Sequence, residues 1–385
     1  MTPRGARGPG FPTTPKRERF HVPITIEDIL PTGGYTSVLP LSYMVPTFYP
    51  TPPGNVDSRP GAPRIRLDDP DLQARAQRLV NVLFWTATTL QNVEGMQDAR
   101  TLKVFIAPEF YFRKASREES AGDRFLRDTS FGSYPEDARY ALAEVLYAVV
   151  QSSTLFRDWV VVAGTVCSVL PMQDDHRMNL LNTAIMLRGS RARLDASVPY
   201  ILMEKHYISH IDGPPQDWHA NLDPTTTYSF QLNPDQNLDN LVFWDEMTVG
   251  LEVCLDHAKQ VVANAMNTVA QTLGPQAKAL DLQLVTSCGM AIVPQAVAVA
   301  DGALVMLTDG MSHLQRLQEP IFQIGRYDAA TNTTRLMAPA DFQFSELPAH
   351  EDYQVDYLRG LYTKKQLRQG VWTTRSALPL RSVSS

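Results

Sequence analysis

Apolar residues recur along this chain in two rhythms. From Leu72 through Leu79, Leu83 and Leu90 they fall at helical spacing, with Arg75, Gln77 and Arg78 mostly off the stripe. That pattern predicts an amphipathic helix of about five or six turns. Asp69 supplies an acceptor for its first turn, and Pro70 has no N–H to leave unsatisfied there. Elsewhere the apolar residues come as short unbroken runs: TLKVFI from Thr101, WVVVAGTV from Trp159, NTAIML from Asn182, ILME from Ile201, MTVGLEV from Met247, then Leu280 to Val285 and Ala303 to Leu307. Runs of this length predict buried strands, and YTSVLPLSYMVP from Tyr35 predicts a first one. Further helices fit Pro135 to Gln151 and His257 to about Leu273. Strands interleaved with helices indicate an α/β protein whose sheets are covered by helices.

The segments between these elements set the expected organisation. Residues 1–34 are rich in Pro, Gly and Arg and read as a disordered or extended arm. Residues 47–66 carry Pro and Gly too densely for helix or strand and read as an insertion lying over the surface. A catalytic domain is expected over residues 35–350, and residues 351–385 read as a tail, either packed on a partner subunit or mobile. The 35 basic and 41 acidic residues leave a formal charge of −6, which argues against a nucleic-acid binder. No apolar run approaches the roughly 18 residues of a membrane span, and none follows the basic residues near the start as a secretory signal would require. Three cysteines, Cys167, Cys254 and Cys288, are too few for a disulfide framework and suit a reducing compartment. A cytoplasmic protein without membrane contact is expected.

Three reactive residues each follow a predicted strand: Glu109 after TLKVFIAP, Lys205 after YILME, and Cys254 after TVGLEV. Active sites of α/β folds gather beyond the carboxyl ends of strands, so these side chains could converge. Taken singly, each is more often a surface residue or an inert buried thiol. Together they form a chemical set. A carboxylate of raised pKa can take a thiol proton, the thiolate can attack a carbonyl or nitrile carbon, and an ammonium can hold the developing oxyanion.

In VFIAPEF, MEKHY and GLEVCLDH the chain resembles the nitrilase superfamily of carbon–nitrogen hydrolases, whose members carry Glu, Lys and Cys in that order. The resemblance covers roughly residues 35–310, with NTAIML matching the strand before the Lys block. It implies an αββα four-layer sandwich, a subunit that forms a homodimer or a higher homo-oligomer, and no metal or organic cofactor. It also implies a mechanism: Glu109 as base, Cys254 as nucleophile forming a thioester, and Lys205 with the backbone N–H of Leu255 as oxyanion donors. Asp212 is the best match for a second carboxylate that positions substrate and water, with Asp217 and Asp223 as rivals. Phe110, Tyr111, His257 and Ser287 are candidate pocket positions. Asp256, two residues after the nucleophile, leans toward the amidase branch. The Arg usual nearby is missing, so Lys259 or an Arg elsewhere is expected to be its charge partner. The separations of 96 and 49 positions between the three reactive residues suggest loop insertions around the pocket.

The implied activity is a thiol hydrolase cleaving an amide or N-carbamoyl bond of a small molecule, and less readily a nitrile. An acyltransferase passing the same acyl group to an amine is the alternative, and a non-catalytic scaffold of the same fold is a third reading. His206, His210 and His219 could suggest a metal, but the strand-and-turn context around them argues against ligation.

Overall fold

A computed structural model describes residues 34–47, 51–115, 132–171, 177–189, 200–209, 211–212, 227–230, 238–244, 247–310, 322–355 and 368–381. The strands, in chain order, are β1 Ser37–Met44, β2 Thr101–Ile106, β3 Tyr134–Pro135, β4 Trp159–Pro171, β5 Arg177–Arg188, β6 Tyr200–Glu204, β7 Thr227–Phe230, β8 Leu241–Trp244, β9 Met247–Val253, β10 Leu280–Ser287, β11 Val299–Asp309, β12 Phe322–Asp328, β13 Thr333–Leu336, β14 Phe342–Glu346, β15 Gly370–Thr374 and β16 Leu378–Pro379. The α-helices are α1 Pro70–Thr89, α2 Ala138–Ser152, α3 Leu255–Ala258 and α4 Val261–Leu273. The first sheet runs β14-β15-β1-β2-β4-β5-β6, with β16, β3 and β7 pairing β1, β4 and β5, and the second runs β13-β12-β11-β10-β9-β8. Both have a parallel centre, β1, β2 and β4 in one and β9, β10 and β11 in the other.

Alternation along the strands explains why the two sheets stack. Leu102, Val104 and Ile106 of β2 and Val160 and Val162 of β4 face Val249, Leu251 and Val253 of β9 and Leu282 and Leu284 of β10 in one buried cluster. The intervening Phe105, Val161 and Ala163 turn to the opposite face and pack with Leu72, Leu79 and Leu83 of α1 and Leu142 and Leu146 of α2. On the far side, Val262 and Ala265 of α4 cover Leu280 and Ala303 of the second sheet. The layers are therefore helix, sheet, sheet, helix, and the αββα sandwich is the observed fold. Each fully buried Leu in the inter-sheet layer contributes about 1.5–3 kcal/mol by removal from water. Among the described residues no helix is long and apolar enough to cross a membrane.

Helix α1 starts where the sequence places it, the Asp69 carboxylate taking the N–H groups of Asp71 and Leu72 at 2.9 and 3.1 Å. Its polar residues do something the stripe alone does not foretell. Arg75, Gln77, Arg78 and Asn81 are buried, not solvated. Arg75 and Arg78 donate to the carbonyls of Thr51 and Pro53, Gln77 takes the N–H of Ile65, and Asn81 donates to the carbonyl of Asp57. The Pro-rich segment cannot pair its own backbone in a ladder, so the helix supplies the partners and the segment is strapped along it.

Two further expectations change. The helix expected from His257 to Leu273 is broken: Gln260 adopts a left-handed conformation between α3 and α4, and the buried Glu252 carboxylate takes the Val262 N–H at 2.9 Å, fixing α4 in a new direction. Part of the expected C-terminal tail is a sheet strand, since β15 lies between β14 and β1, antiparallel to both. Its alternation is short, and pairing with β1 buries it. The N-terminal arm, His210, Asp217, His219 and Asp223 lie outside the described residues.

Candidate active site

The topology brings the three reactive residues to one end of the sandwich. Strand β4 is parallel to β2 and antiparallel to β5, and β5 is antiparallel to β6, so β2, β4 and β6 end on the same side. Two hydrogen bonds then join the carboxyl ends of the two sheets. Thr286 Oγ1 donates to the Ala107 carbonyl at 2.8 Å, and the Glu109 N–H donates to the Ser287 carbonyl at 3.3 Å. Pro108 ends β2, and the chain dips toward the second sheet against Gly164, which has φ +82° at a bulge in β4. A Cβ at Gly164 would come 2.5 Å from the Pro108 carbonyl oxygen, so only glycine lets the Glu109 turn sit there.

Glu109 is fully buried. Its Oε1 accepts from Lys205 Nζ at 2.8 Å and from Asn182 Nδ2 at 2.9 Å. Its Oε2 has no hydrogen-bond partner among the described residues. Burial pushes the Glu109 pKa up to about 7; Lys205 pulls against that shift and Asp212 adds to it. Lys205 Nζ also donates to Asp212 Oδ2 at 2.6 Å and to Ser209 Oγ at 3.2 Å. Burial disfavours its charge, but Glu109 and Asp212 outweigh that and raise its pKa, so the side chain is an ammonium. Asp212 is itself held below the usual carboxylate range: burial opposes this, but Lys205 and Ser209 more than compensate. Asn182 Nδ2 completes the ring by donating to Asp212 Oδ1 at 2.8 Å.

Cys254 stands between β9 and α3 with φ 50° and ψ −109°, a conformation that a non-glycine residue adopts only when its surroundings enforce it. Its backbone N–H donates to the Thr286 carbonyl at 2.9 Å, tying the turn to β10. The sulfur lies 3.9 Å from the Cys288 carbonyl oxygen. Burial and the neighbouring Glu109 raise its pKa while Lys205 lowers it, and the balance leaves a neutral thiol at rest. Leu255 opens α3, in the first turn, whose N–H groups the helix itself does not use.

No family model matches the chain, and no curated protein matches it. Among solved structures it is similar to an amidase from Nesterenkonia sp., at 12% identity and a TM-score of 0.37, covering 91% of this chain and 92% of that one. It is also similar to a CN-hydrolase superfamily protein from Xanthomonas campestris, at 11% identity and a TM-score of 0.37, covering 79% of this chain and 91% of that one. A glutamine-dependent NAD+ synthetase from Acinetobacter baumannii matches at 13% identity and a TM-score of 0.34, covering 79% of this chain. The chain spans 47% of that synthetase's length.

The other expected positions divide. Phe110 lies at the site, its ring 4.4 Å from the Arg113 guanidinium carbon and 5.8 Å from Lys205 Nζ. Arg113 in turn donates to the carbonyls of Ile211 and Asp212, holding that turn in place. Tyr111 points the other way, into the core beneath the helices, where its ring packs on Tyr43 and Phe112. Phe110 lies in the turn after β2 with φ 63°, and the two side chains part there, Phe110 packing with Cys167 and Cys288 and Tyr111 with the core under the helices. His257 is also removed from the site. Its Nδ1 pairs with Glu252 Oε2 at 2.6 Å and its Nε2 takes the Val293 N–H at 3.0 Å, a fully buried structural link. The Ser287 hydroxyl is turned to Asp309 at 2.8 Å, and only its carbonyl serves the Glu109 turn. Asp256 does not pair with Lys259, whose ammonium sits 5.9 Å from the Tyr207 ring centre; backbone N–H groups of His206 and Tyr207 hold its carboxylate instead. His206 is paired with Asp239 at 3.1 Å.

Asn182 and Ser209 are the site residues that sequence reasoning passes over. Asn182 had a signal: it is a polar side chain opening the apolar run NTAIML, and buried polar groups are costly unless partnered. Ser209 carries no comparable mark, since a serine three positions before an aspartate reads as an ordinary turn.

Proposed function

We propose that the chain is a carbon–nitrogen hydrolase that cleaves an amide or N-carbamoyl bond of a small molecule, and less readily a nitrile, through a thioester on Cys254. The observation that carries this reading is the asymmetry of the Glu109 carboxylate. One oxygen is saturated by Lys205 and Asn182 while the other has no partner among the described residues, which supports its being the oxygen that receives the Cys254 proton. A buried carboxylate with a pKa of about 7 matches the requirement for a general base near neutral pH.

In this mechanism the thiol stays neutral until substrate arrives. Glu109 Oε2 takes the Sγ proton as sulfur bonds to the carbonyl carbon, and the carbonyl electron pair moves onto oxygen. Lys205 and the Leu255 N–H stabilise that oxyanion. When the oxyanion collapses, the C–N bond breaks and the proton held on Glu109 passes to the departing nitrogen, leaving a thioester. Water then gives a proton to Glu109 and attacks the thioester carbon; the carboxylic acid leaves and the thiol is restored. Asp212 shares Lys205 with Glu109, which supports a role in keeping the ammonium charged and aimed.

Carbamidomethylation by iodoacetamide, followed at each cysteine from about pH 5 to pH 9, tests the activated thiol without a known substrate. Cys254 should label faster than Cys167 and Cys288 and lose that advantage in Glu109→Gln. A panel of amides, N-carbamoyl compounds and nitriles, scored by ammonia release with and without an added amine, then identifies the bond cleaved and the acyl acceptor. A Cys254 no faster than the two other thiols, or one indifferent to Glu109→Gln, would refute the reading.

A further inference from the structure

Lys205 and Cys254 belong to different sheets, so something must set their separation. The backbone N–H of Lys205 donates to the Asn182 carbonyl at 2.9 Å, within the first sheet. Immediately afterwards the chain leaves that sheet, and its next two N–H groups cross to the second. The His206 N–H lies 3.1 and 3.0 Å from the two carboxylate oxygens of Asp256, and the Tyr207 N–H lies 2.8 Å from Oδ1. Asp256 is fully buried in α3, two residues after the nucleophile. A second tether runs from His206 Nε2 to Asp239, beside Asn240, whose side chain donates to the Leu251 carbonyl of β9 at 2.8 Å. Only the Asp256 tether starts on the helix that Cys254 begins.

We propose that Asp256 is a positioning residue that sets the Lys205 ammonium against the Cys254 sulfur by clasping the two backbone N–H groups that follow Lys205. This rests on the triad reading above. Oδ1 accepts from both N–H groups and Oδ2 from His206 alone, and burial holds the Asp256 pKa up to about 7, so the clasp is strongest above that pH, where the side chain is a carboxylate and offers acceptors only. An amide of the same size must turn either a donor toward those N–H groups or its single oxygen toward both.

Three variants and one measurement on the unchanged protein test the clasp. In the wild type, hydrogen exchange should be slow at His206 and Tyr207, although both N–H groups bond a side chain and not a sheet. Fast exchange there would overturn the proposal, whatever the variants do. Asp256→Asn should slow Cys254 carbamidomethylation at neutral pH by about tenfold or more, given that a shift of about 1 Å in a reacting group can cost about a hundredfold. It should also move the pH profile upward, as Lys205→Ala should, because the cation that lowers the thiol pKa is displaced. Asp281→Asn is the structural control. Asp281 is a buried carboxylate taking the Thr248 N–H at 2.9 Å at the start of β10, the end opposite Ser287, and its loss should lower stability without moving the profile. A shift in Lys205→Ala but none in Asp256→Asn overturns the clasp alone. No shift in Lys205→Ala overturns the triad reading and the clasp with it.

Discussion

Replacing Asn182 with alanine probes the centre of the site in a quantity the structure lets one estimate. The Asn182 amide gives one hydrogen to Glu109 Oε1 at 2.9 Å and the other to Asp212 Oδ1 at 2.8 Å. Its own Oδ1 has no partner among the described residues, so the side chain is held for its two donors. Deleting it leaves Lys205 as the partner of Glu109 Oε1. A hydrogen bond to a charged group is worth about 1.5 kcal/mol at the low end, and one pKa unit corresponds to about 1.36 kcal/mol, so the Glu109 pKa should rise by about one unit. The direction follows from the sign: the lost donor favoured the charged form, so the carboxylate becomes the stronger base. The midpoint of the Cys254 labelling profile, expected near the Glu109 pKa of about 7, should therefore move about one unit higher. Because the thiol and the carboxyl are coupled, the midpoint belongs to the pair. Stability should fall by about 1–3 kcal/mol, two charge-assisted bonds being lost while an unpartnered buried oxygen is also removed. The assay is iodoacetamide labelling across pH with peptide mapping, alongside urea unfolding. Cys167, which pairs Asn182 across β4 and β5, serves as the local control for general loosening. A midpoint that stays within a few tenths of a unit, or that moves downward, would refute the role assigned to the amide.

Other outcomes follow from the same geometry. Turnover of any substrate found should rise with pH through about 7 as Glu109 ionises, since the base must be unprotonated; a rate flat from about pH 5 to pH 8 would contradict it. Gly164→Ala should cost more than about 1 kcal/mol and slow Cys254 labelling, because the new methyl meets the Pro108 carbonyl and displaces the Glu109 turn; urea melts with labelling would show both or neither. Tyr111→Phe should leave labelling unchanged, its ring being in the core under the helices, and a changed rate would return Tyr111 to the pocket. Leu251→Ala, in the layer between the sheets, should cost about 2–5 kcal/mol in a denaturation experiment, and a loss under about 1 kcal/mol would question the inter-sheet packing.

Much of the fold was legible because short apolar runs and capped amphipathic stripes are local signals. The run MTVGLEV became β9 with its bounds unchanged, TLKVFI became β2, and the Asp69-Pro70 start became the first turn of α1. Strands with weaker patterns were lost. β12, β13 and β14 carry many partly exposed residues, and β15 was assigned to a tail, because a strand at or beside a sheet edge gains its burial from a partner that the local sequence does not name. The same limit explains the polar face of α1, where Arg75 and Arg78 look solvated in sequence yet are buried under the Pro-rich strap.

The site divides along the same line. That Glu109, Lys205 and Cys254 each end a strand is a property of the sequence, and the chemical completeness of the set made their convergence worth expecting. Which atoms meet is a property of the tertiary structure. The occupation of Glu109 Oε1 by Lys205 and Asn182, the sharing of Lys205 with Asp212, and the grip of Asp256 on the chain after Lys205 join residues dozens of positions apart and carried by two sheets. Periodicity reports which side of its own element a residue faces. Only the stacking of one sheet on the other brings the ends of their strands together, and burial there is what raises the Glu109 pKa and keeps the Cys254 thiol neutral at rest.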